Sequence, residues 1–313
     1  MNSLSLINGL KIEKSMSTII KLGTRPSKLA IIQAEQVKKK LTERFPNLLV
    51  EIVSVKTEGD IDQTSSLKQL GGKGVFIKAI EQKLLNKEID AAIHSFKDIT
   101  ANIADNTQLI SFLKPESTSD CVVFKSSKIK SLNDLKKNSI VATSSLRRKL
   151  YIKQYFPKLK VIDIRGNVET RIKKCKSGFS DAVILSTAGL MRLNVENDIS
   201  EILDPNHFVP APGQGVVTVQ SHKNDELNKY LKVITDPQQH FISNLEYLFL
   251  KVVGLDCNYP LGLRINILKN KVRIAIKWAS EDMENIHEKK YECDTTDAQN
   301  EIEKLANFVK EHV

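Results

Sequence analysis

Short apolar runs alternate with amphipathic stretches along most of the chain. Runs of strand type occur at residues 18–22, 48–55, 91–93, 121–124, 140–142, 160–164 and 182–185. Apolar side chains recur at helical spacing in the intervening residues 29–41, 75–86, 146–156 and 168–176. Strands that alternate with helices indicate parallel sheets built from βαβ units, so the pattern predicts an α/β fold.

Two polar, turn-rich breaks divide this alternation. The first lies near residue 115, and the second, at 205–215, is rich in proline and glycine, as hinges often are. The strand-like residues 216–219 follow the second break and can return to the first sheet. We therefore predict two doubly wound lobes joined by a hinge, of the kind seen in periplasmic binding proteins. Domain 1 takes residues 16–114 and 214–234, and domain 2 takes residues 115–213.

The residues at the two ends of the chain are predicted to lie outside the two lobes. A helical pattern at 239–252, a hairpin of strands 261–268 and 272–278, and a final helix at 297–309 predict a small α+β domain 3 at residues 235–313. Residues 1–15 are predicted to be a disordered extension, because the first strand-like run begins directly after Met16.

Composition narrows the class of protein. The chain has 313 residues, of which 41% are hydrophobic and 27% charged, so it can bury substantial cores. No apolar run is long enough to span a bilayer or to serve as a secretory signal, which predicts a cytoplasmic protein that binds no membrane. The cysteines lack metal-ligand spacing, so we expect free thiols and no metal: Cys121, Cys175, Cys257 and Cys293.

The formal net charge of +10 raises the question of nucleic acid. Aromatic residues make up only 6% of the chain, and no helix-turn-helix, zinc-finger or RNA-binding signature occurs. Much of the lysine lies on predicted helix faces, where solvation is its usual role. A small substrate with several anionic groups accounts for the charge equally well, and we predict no nucleic-acid partner.

Residues 141–171 contain the clearest candidate site. Thr143, Ser144 and Ser145 lie where a strand passes into a helix, and a helix start offers free backbone N–H groups to an anion. Arginines, which grip carboxylates through two parallel hydrogen bonds, surround this turn and the next: Arg147, Arg148, Arg165 and Arg171. This pattern favours a site for a polyanionic ligand, and two surface salt-bridge clusters are the alternative.

Other strand ends carry similar chemistry. Arg25 and Ser27 lie at a strand-to-helix corner, and the buried strand 91–93 is followed by Lys97 and Asp98. Ligands of doubly wound sheets bind beyond the carboxyl ends of strands, so Asp98 is a candidate acid–base group, with a turn cap as the equal alternative. The glycine-rich segment 71–74 lacks the full phosphate-loop pattern, which leaves a flap over the site or a plain linker.

Seven motifs in this order resemble the hydroxymethylbilane synthase family, also called the porphobilinogen deaminases. They are Gly-Thr-Arg-Pro-Ser (23–27), Gly-Gly-Lys-Gly (71–74), His-Ser-Phe-Lys-Asp (94–98), Thr-Ser-Ser-Leu-Arg-Arg (143–148), Arg-Gly-Asn-Val-Glu-Thr-Arg (165–171), Ala-Gly-Leu-Met-Arg (188–192) and Pro-Ala-Pro-Gly-Gln-Gly (210–215). The resemblance runs from Thr18 to the C-terminus. One such motif would be weak evidence, whereas seven in order are specific.

The resemblance implies a transferase of haem biosynthesis, acting as a monomer. Its members condense four porphobilinogen molecules head to tail, with loss of ammonia, to give hydroxymethylbilane. The chain grows on a dipyrromethane cofactor attached through a thioether, for which Cys257 is the matching residue, and Asp98 matches the catalytic carboxylate. The glycine-rich flap matches Gly71, Gly72, Lys73 and Gly74. The carboxylate-binding positions match Arg25, Ser27, Lys97, Ser144, Arg147, Arg148, Arg165, Arg171 and Arg192.

A non-catalytic, two-lobe anion-binding protein is the alternative to this interpretation. Two α/β lobes joined by a hinge describe such proteins equally well. The attachment-type cysteine and the lack of an export signal count against it. A covalent adduct of two pyrrole units on Cys257 would distinguish the transferase from a binding protein.

Overall fold

The computed structural model describes residues 18–57, 74–254, 259–280 and 282–312, except for the side chains of Val75 and Phe76. Gly71, Gly72, Lys73 and Cys257, which the sequence analysis singled out, lie outside these residues. In the described part of the chain, no helix combines the length and the apolar character needed to cross a bilayer.

Strands and helices alternate through the first two thirds of the described chain. The strands are β1 (Ile19–Thr24), β2 (Leu49–Ser54), β3 (Ala91–Ser95), β4 (Thr107–Phe112), β5 (Asp120–Phe124), β6 (Ile140–Ala142), β7 (Lys160–Ile162), β8 (Ala182–Ser186), β9 (Glu201–Ile202), β10 (Val217–His222), β11 (Leu261–Leu268), β12 (Lys271–Ala279) and β13 (Ile286–Asp294). The α-helices are α1 (Lys28–Arg44), α2 (Val75–Leu85), α3 (Leu146–Tyr155), α4 (Val168–Lys176), α5 (Thr187–Arg192), α6 (Asn228–Val233), α7 (Pro237–Val253) and α8 (Ala298–Glu311).

Two five-stranded sheets share one topology. Their strand orders are β2-β1-β3-β10-β4 and β7-β6-β8-β5-β9. The first three strands of each sheet are parallel, and the fourth is antiparallel to both of its neighbours. The antiparallel strand is the one that has just crossed from the other lobe, since β5 follows the first crossing and β10 follows the second. Each lobe is therefore completed by chain that arrives from its neighbour.

The third sheet is smaller and wholly antiparallel, in the order β11-β12-β13. Its core is shared with α7 and α8, through side chains such as Leu245, Phe249, Ile276 and Leu305. The predicted fold class, two doubly wound lobes with a small α+β unit, is confirmed by these sheets. The predicted domain limits stay predictions.

Some elements differ from their sequence patterns. The strand expected at 91–93 continues to Ser95, and Arg192 is the last residue of α5 instead of following it. The strands β4, β9 and β13 and the helix α6 were not predicted. The strand β13 gave no apolar alternation because it is an edge strand whose residues, including Lys289 and Glu292, are half-buried or exposed.

Glycines allow the two crossing segments to touch. Gly215 has φ +88°, and a Cβ atom there would lie 2.2 Å from the carbonyl oxygen of Ser117 in the first crossing. Gly213 has φ +71°, and its Cβ would lie 2.9 Å from the backbone nitrogen of Lys97. A side chain at Gly215 would therefore push the two crossings apart, and one at Gly213 would push the hinge away from the segment that carries Lys97.

Replacement of Gly215 tests this close approach. Gly178 is the matched control, because its φ of +95° is similar and its Cβ would meet only the flexible end of the Lys125 side chain. We expect Gly178→Ala to lower the free energy of unfolding by about 1–2 kcal/mol, the usual cost of a left-handed residue. Gly215→Ala should lose about 1–3 kcal/mol more, because the added methyl overlaps backbone. Urea unfolding measures both, and equal losses would contradict the contact.

Candidate functional site

An open cleft is lined by residues of both large lobes. The first lobe contributes α1, the end of β3 and the residues just before β10, and the second contributes α3, α4 and the β8–α5 corner. The polar lining residues are Gln33, Ser95, Lys97, Arg148, Arg171, Ser186 and Arg192. No described residue that lines the cleft is acidic, so the cleft is strongly cationic.

The α1 side of the cleft is fixed by a cap and a cross-link. The hydroxyl of Ser27 accepts a hydrogen bond from the Ala30 backbone N–H at 3.3 Å and so caps α1, two residues after Arg25. Further along α1, the amide of Gln33 donates to the hydroxyl of Ser95 at 2.8 Å, which joins the helix to the end of β3. This end leads directly into the 3₁₀ turn that carries the half-buried Asp98.

In the second lobe, Ser144 joins the ends of two neighbouring strands. Its hydroxyl donates to the carbonyl oxygen of Ile164 at 2.9 Å and lies 3.0 Å from the backbone nitrogen of the same residue, which donates in return. The next residue, Ser145, caps α3. The predicted arginines at the start of α3 and at Arg165 are therefore brought to the same edge of the sheet.

Asp120 is the centre of a buried ionic network. Its carboxylate accepts a hydrogen bond from Nη1 of Arg147 at 2.7 Å and another from Nη2 of Arg148 at 2.8 Å. The side-chain amide of Gln214 donates to the same carboxylate at 3.0 Å and to the carbonyl oxygen of Thr118 at 2.6 Å. Burial by itself would raise the pKa of Asp120, but the two guanidinium groups hold this pKa well below its usual range.

Arg147 and Arg148 are adjacent in the chain, but only Arg148 lines the cleft. Arg147 also donates to the carbonyl oxygen of Val209 at 3.0 Å, is only 3% exposed, and does not line the cleft. Arg148 donates to the carbonyl oxygen of Ile184 at 2.8 Å and does line the cleft. Sequence reasoning missed Asp120, although a carboxylate that opens a wholly apolar strand was an available signal.

Two arginines lie close to Arg171. Burial and repulsion from Arg148 and Arg165 lower the pKa of Arg171 to about 10, whereas attraction to Asp98 acts in the opposite direction. The guanidinium of Arg171 is therefore near enough to Asp98 to interact with it electrostatically. Nη1 of Arg165 and Nε of Arg192 are buried without a hydrogen-bond partner among the described residues. Buried donors of this kind fit a ligand rich in carboxylate oxygens.

His94 is structural in this setting. It is 6% exposed, and its Nε2 lies 3.1 Å from the side-chain oxygen of Gln220, whose amide nitrogen donates to Glu81 at 2.7 Å and to Thr107 at 2.8 Å. With that orientation of Gln220, His94 is the donor. Burial lowers the pKa of His94 to about 4, so the ring is neutral at pH 7.

Other candidates lie apart from the cleft. Among the residues the structure describes, no three His, Cys, Asp or Glu side chains are arranged to hold a metal ion. Cys121 and Cys175 are buried thiols of the second lobe, and Cys293 is a half-buried thiol on β13. Of the predicted flap, only Gly74 is described, and it directly precedes α2.

Comparison with known sequences gives one consistent family. Residues 20–229 match the family described as "Porphobilinogen deaminase, dipyromethane cofactor binding domain". The porphobilinogen deaminase of Limosilactobacillus reuteri is 40% identical over 249 residues, which cover 79% of this chain and 81% of that protein. That of Caldicellulosiruptor saccharolyticus is 34% identical over 291 residues, which cover 93% and 99%.

Solved structures show a more distant likeness. The periplasmic VFT2 domain of Bordetella pertussis BvgS is 16% identical with a TM-score of 0.42, covering 75% of this chain and 92% of that domain. The amino-acid ABC transporter binding protein ytmK of Bacillus subtilis is 15% identical with a TM-score of 0.40, covering 77% and 99%.

Asp120→Asn tests the buried network through its pH dependence. At pH 7 we expect a loss of about 3–5 kcal/mol in the free energy of unfolding, because two buried guanidinium groups lose their counter-ion. The pKa of Asp120 is depressed in the folded state, so its contribution is complete above its unfolded pKa and is lost as the pH falls towards the folded value. The difference between the two proteins should therefore be constant from about pH 5 to 7 and shrink below about pH 4. Urea unfolding across this range measures it, and a constant difference down to pH 3 would contradict the depressed pKa.

Proposed function

The chain belongs to the porphobilinogen deaminase family, and we propose that its cationic cleft holds an acidic pyrrole chain on which Asp98 acts. This transferase condenses four porphobilinogen molecules head to tail, with loss of ammonia, to give hydroxymethylbilane in tetrapyrrole biosynthesis. It uses a dipyrromethane cofactor. The roles of individual residues, which follow, are our proposal.

The convergence of four cations in one cleft is the observation that carries the proposal. Lys97, Arg148, Arg171 and Arg192 line the same space, and none of the described lining residues is acidic. Each pyrrole ring carries an acetate and a propionate, so negative charge accumulates as rings are joined. A hydrogen bond between a guanidinium and a carboxylate contributes about 1.5–3 kcal/mol, and several are therefore needed to hold the chain.

The residues present fit the dipyrromethane cofactor, whose own carboxylates can accept from the unpartnered donors of Arg165 and Arg192. When bound, the cofactor supplies the pyrrole end to which the first substrate is joined. We propose Cys257 as its thioether attachment. Arg25, Ser27 and Ser144, at helix starts and strand ends, complete the proposed set of carboxylate ligands.

Arg147 supports this site indirectly. Its guanidinium is held by Asp120 and by the carbonyl oxygen of Val209, so little of it remains for a ligand. By sharing Asp120 with Arg148 it fixes the carboxylate that orients Arg148 towards the cleft. Its contribution to carboxylate binding, which the sequence predicted, therefore passes through its neighbour.

Asp98 is the proposed catalytic residue because it is the carboxylate at the end of β3 beside these cations. It can hold a proton at the leaving amine of porphobilinogen and then stabilise positive charge on the pyrrole nitrogen. Arg171 attracts Asp98 electrostatically and so lies close enough to interact with it. His94 is buried and neutral, which leaves it unsuited to the same task.

The last parts of the proposed function are a flap over the cleft and the oligomeric state of the protein. The segment that includes Gly71, Gly72 and Lys73, which lies outside the described residues, is proposed as a flap over the cleft. We propose that the protein acts as a monomer in the cytoplasm without nucleic acid. A two-lobe anion-binding protein would need the same cations, but membership of the family favours the transferase.

Asp98→Asn tests the catalytic assignment. Asparagine keeps the shape of the side chain but can neither hold the proton nor carry the negative charge. We expect a folded protein with its cofactor attached and a kcat lower by about 10²–10⁴-fold. Asp105→Asn is the control, since Asp105 is exposed on the same lobe. Porphobilinogen consumption in a stopped assay measures the effect, and near-normal turnover would remove Asp98 from the mechanism.

Cys257→Ser tests the attachment. The intact mass of the protein, purified from a host that makes porphobilinogen, should lack the two pyrrole units that the unsubstituted chain carries. Cys293→Ser is the matched control in the same domain, and its mass should retain them. An adduct that persists in Cys257→Ser would place the tether elsewhere, and an unsubstituted chain without any adduct would favour a binding protein.

A further inference from the structure

A lysine of the third sheet is buried where that sheet meets the second lobe. Lys277, on β12, has a side chain that is 1% exposed. Its Nζ donates to the side-chain oxygen of Gln154 at 3.1 Å and to the hydroxyl of Tyr155, and it pairs with Glu288 at 2.7 Å. Lysine is almost never fully buried unless it is paired, so this ammonium is held by a set of partners from two parts of the molecule.

The same ammonium lies against the aromatic side chains of α3. Nζ is 4.8 Å from the ring centroid of Tyr155 and 5.8 Å from that of Tyr151. Tyr151 is also 5.8 Å from the guanidinium carbon of Arg147, and its hydroxyl donates at 2.8 Å to the carbonyl oxygen of Val209. That carbonyl accepts from Arg147 as well. Tyr151 therefore lies between Lys277 and Arg147, and so connects Lys277 to the network around Asp120.

The backbone of the third sheet docks at the same place. Gly262 pairs with Lys277 in the β11–β12 register. A Cβ atom on Gly262 would lie 2.4 Å from the carbonyl oxygen of Val209 and 2.5 Å from the hydroxyl of Tyr151. The next N–H, of Leu263, donates to the carbonyl oxygen of Pro210 at 2.9 Å. The sheet thus rests directly on the second crossing, without an intervening layer of side chains.

We infer that Lys277 is a positioning residue for the condensation, which fixes the cofactor-bearing sheet onto α3. The inference rests on the proposed function, in which Cys257 carries the cofactor. The strand β11 begins at Leu261, four residues after Cys257, and α3 begins one residue before Arg147 and two before Arg148. Lys277 therefore helps to fix β11, the strand that follows Cys257 in the chain, relative to the helix that carries Arg148. Misalignment of reacting groups by about 1 Å can slow a reaction about 10²-fold.

Replacement of Lys277 by methionine separates this role from a purely structural one. Methionine retains an unbranched apolar stem but loses the bonds to Gln154 and Tyr155. It leaves no unpaired buried charge, because Glu288 is 35% exposed and also pairs with Lys290. Lys271→Met is the matched control, since Lys271 lies on the same strand in an exposed pair with Asp294.

The experiment uses the holoenzyme of each variant. Intact mass establishes that the adduct is present, thermal melting establishes the folded fraction, and kcat and KM for porphobilinogen are then measured. Native mass spectrometry counts the rings added to the enzyme during turnover. For Lys277→Met we expect a retained adduct, a KM within about twofold, a kcat lower by about 10–100-fold, and a shift towards enzyme with few added rings. Lys271→Met should match the unsubstituted protein in all four.

The inference is overturned if folded, adduct-bearing Lys277→Met has the kcat and ring distribution of the unsubstituted chain. Should that variant fail to fold, Tyr155→Phe, which removes a single acceptor, decides in its place. It should show a smaller shift in the same direction, and an unchanged ring distribution would overturn the inference. Absence of any adduct on the unsubstituted protein would instead overturn the proposed function, so the two failures are distinguishable.

Discussion

The ionic pairing of Asp120 with two arginines is the interaction on which the rest of the structure depends. Asp120 opens the strand that enters the second lobe, Gln214 belongs to the segment that leaves it, and the arginines start α3. One buried carboxylate therefore holds both crossings and the helix that faces the cleft. A single carboxylate cannot neutralise two guanidinium groups, so the network retains positive charge beside the ligand site.

This excess of positive charge means that the cleft is cationic before any ligand binds. Arg171 lies near Arg148 and Arg165, and the repulsion is reflected in its pKa of about 10, which still leaves it charged at pH 7. The free protein therefore bears the cost of bringing like charges together during folding. In the proposed function, an acidic pyrrole chain would relieve that repulsion on binding, and affinity for the growing chain would come from charges placed in advance.

The sequence predicted a cationic site but could not assign each residue its place. Strand ends predicted Arg148 and Arg171, because parallel strands end at one edge of a sheet, whereas the family resemblance implied Arg192, and all three line the cleft. Arg147 could not be separated from Arg148, since adjacent helical positions differ by about 100° and only the packed structure shows which one faces the cleft. Lys277 gave no signal either. It is a polar position in the strand-like pattern 272–278, and only the packed structure shows that Gln154 and Tyr155 of α3 lie against it.

One continuous contact joins the two parts of the structure that, in the proposed function, hold the two ends of the pyrrole chain. The carbonyl oxygen of Val209 accepts from Arg147, which belongs to the cationic network, and from Tyr151, against which Lys277 lies. The third sheet closes on the same carbonyl at Gly262. In the proposed function, a ligand tethered by sulfur at one end and held by arginine along its length requires these two supports to keep a fixed separation. The third sheet packs directly against the second crossing at Gly262 and Leu263, and this contact would supply that rigidity.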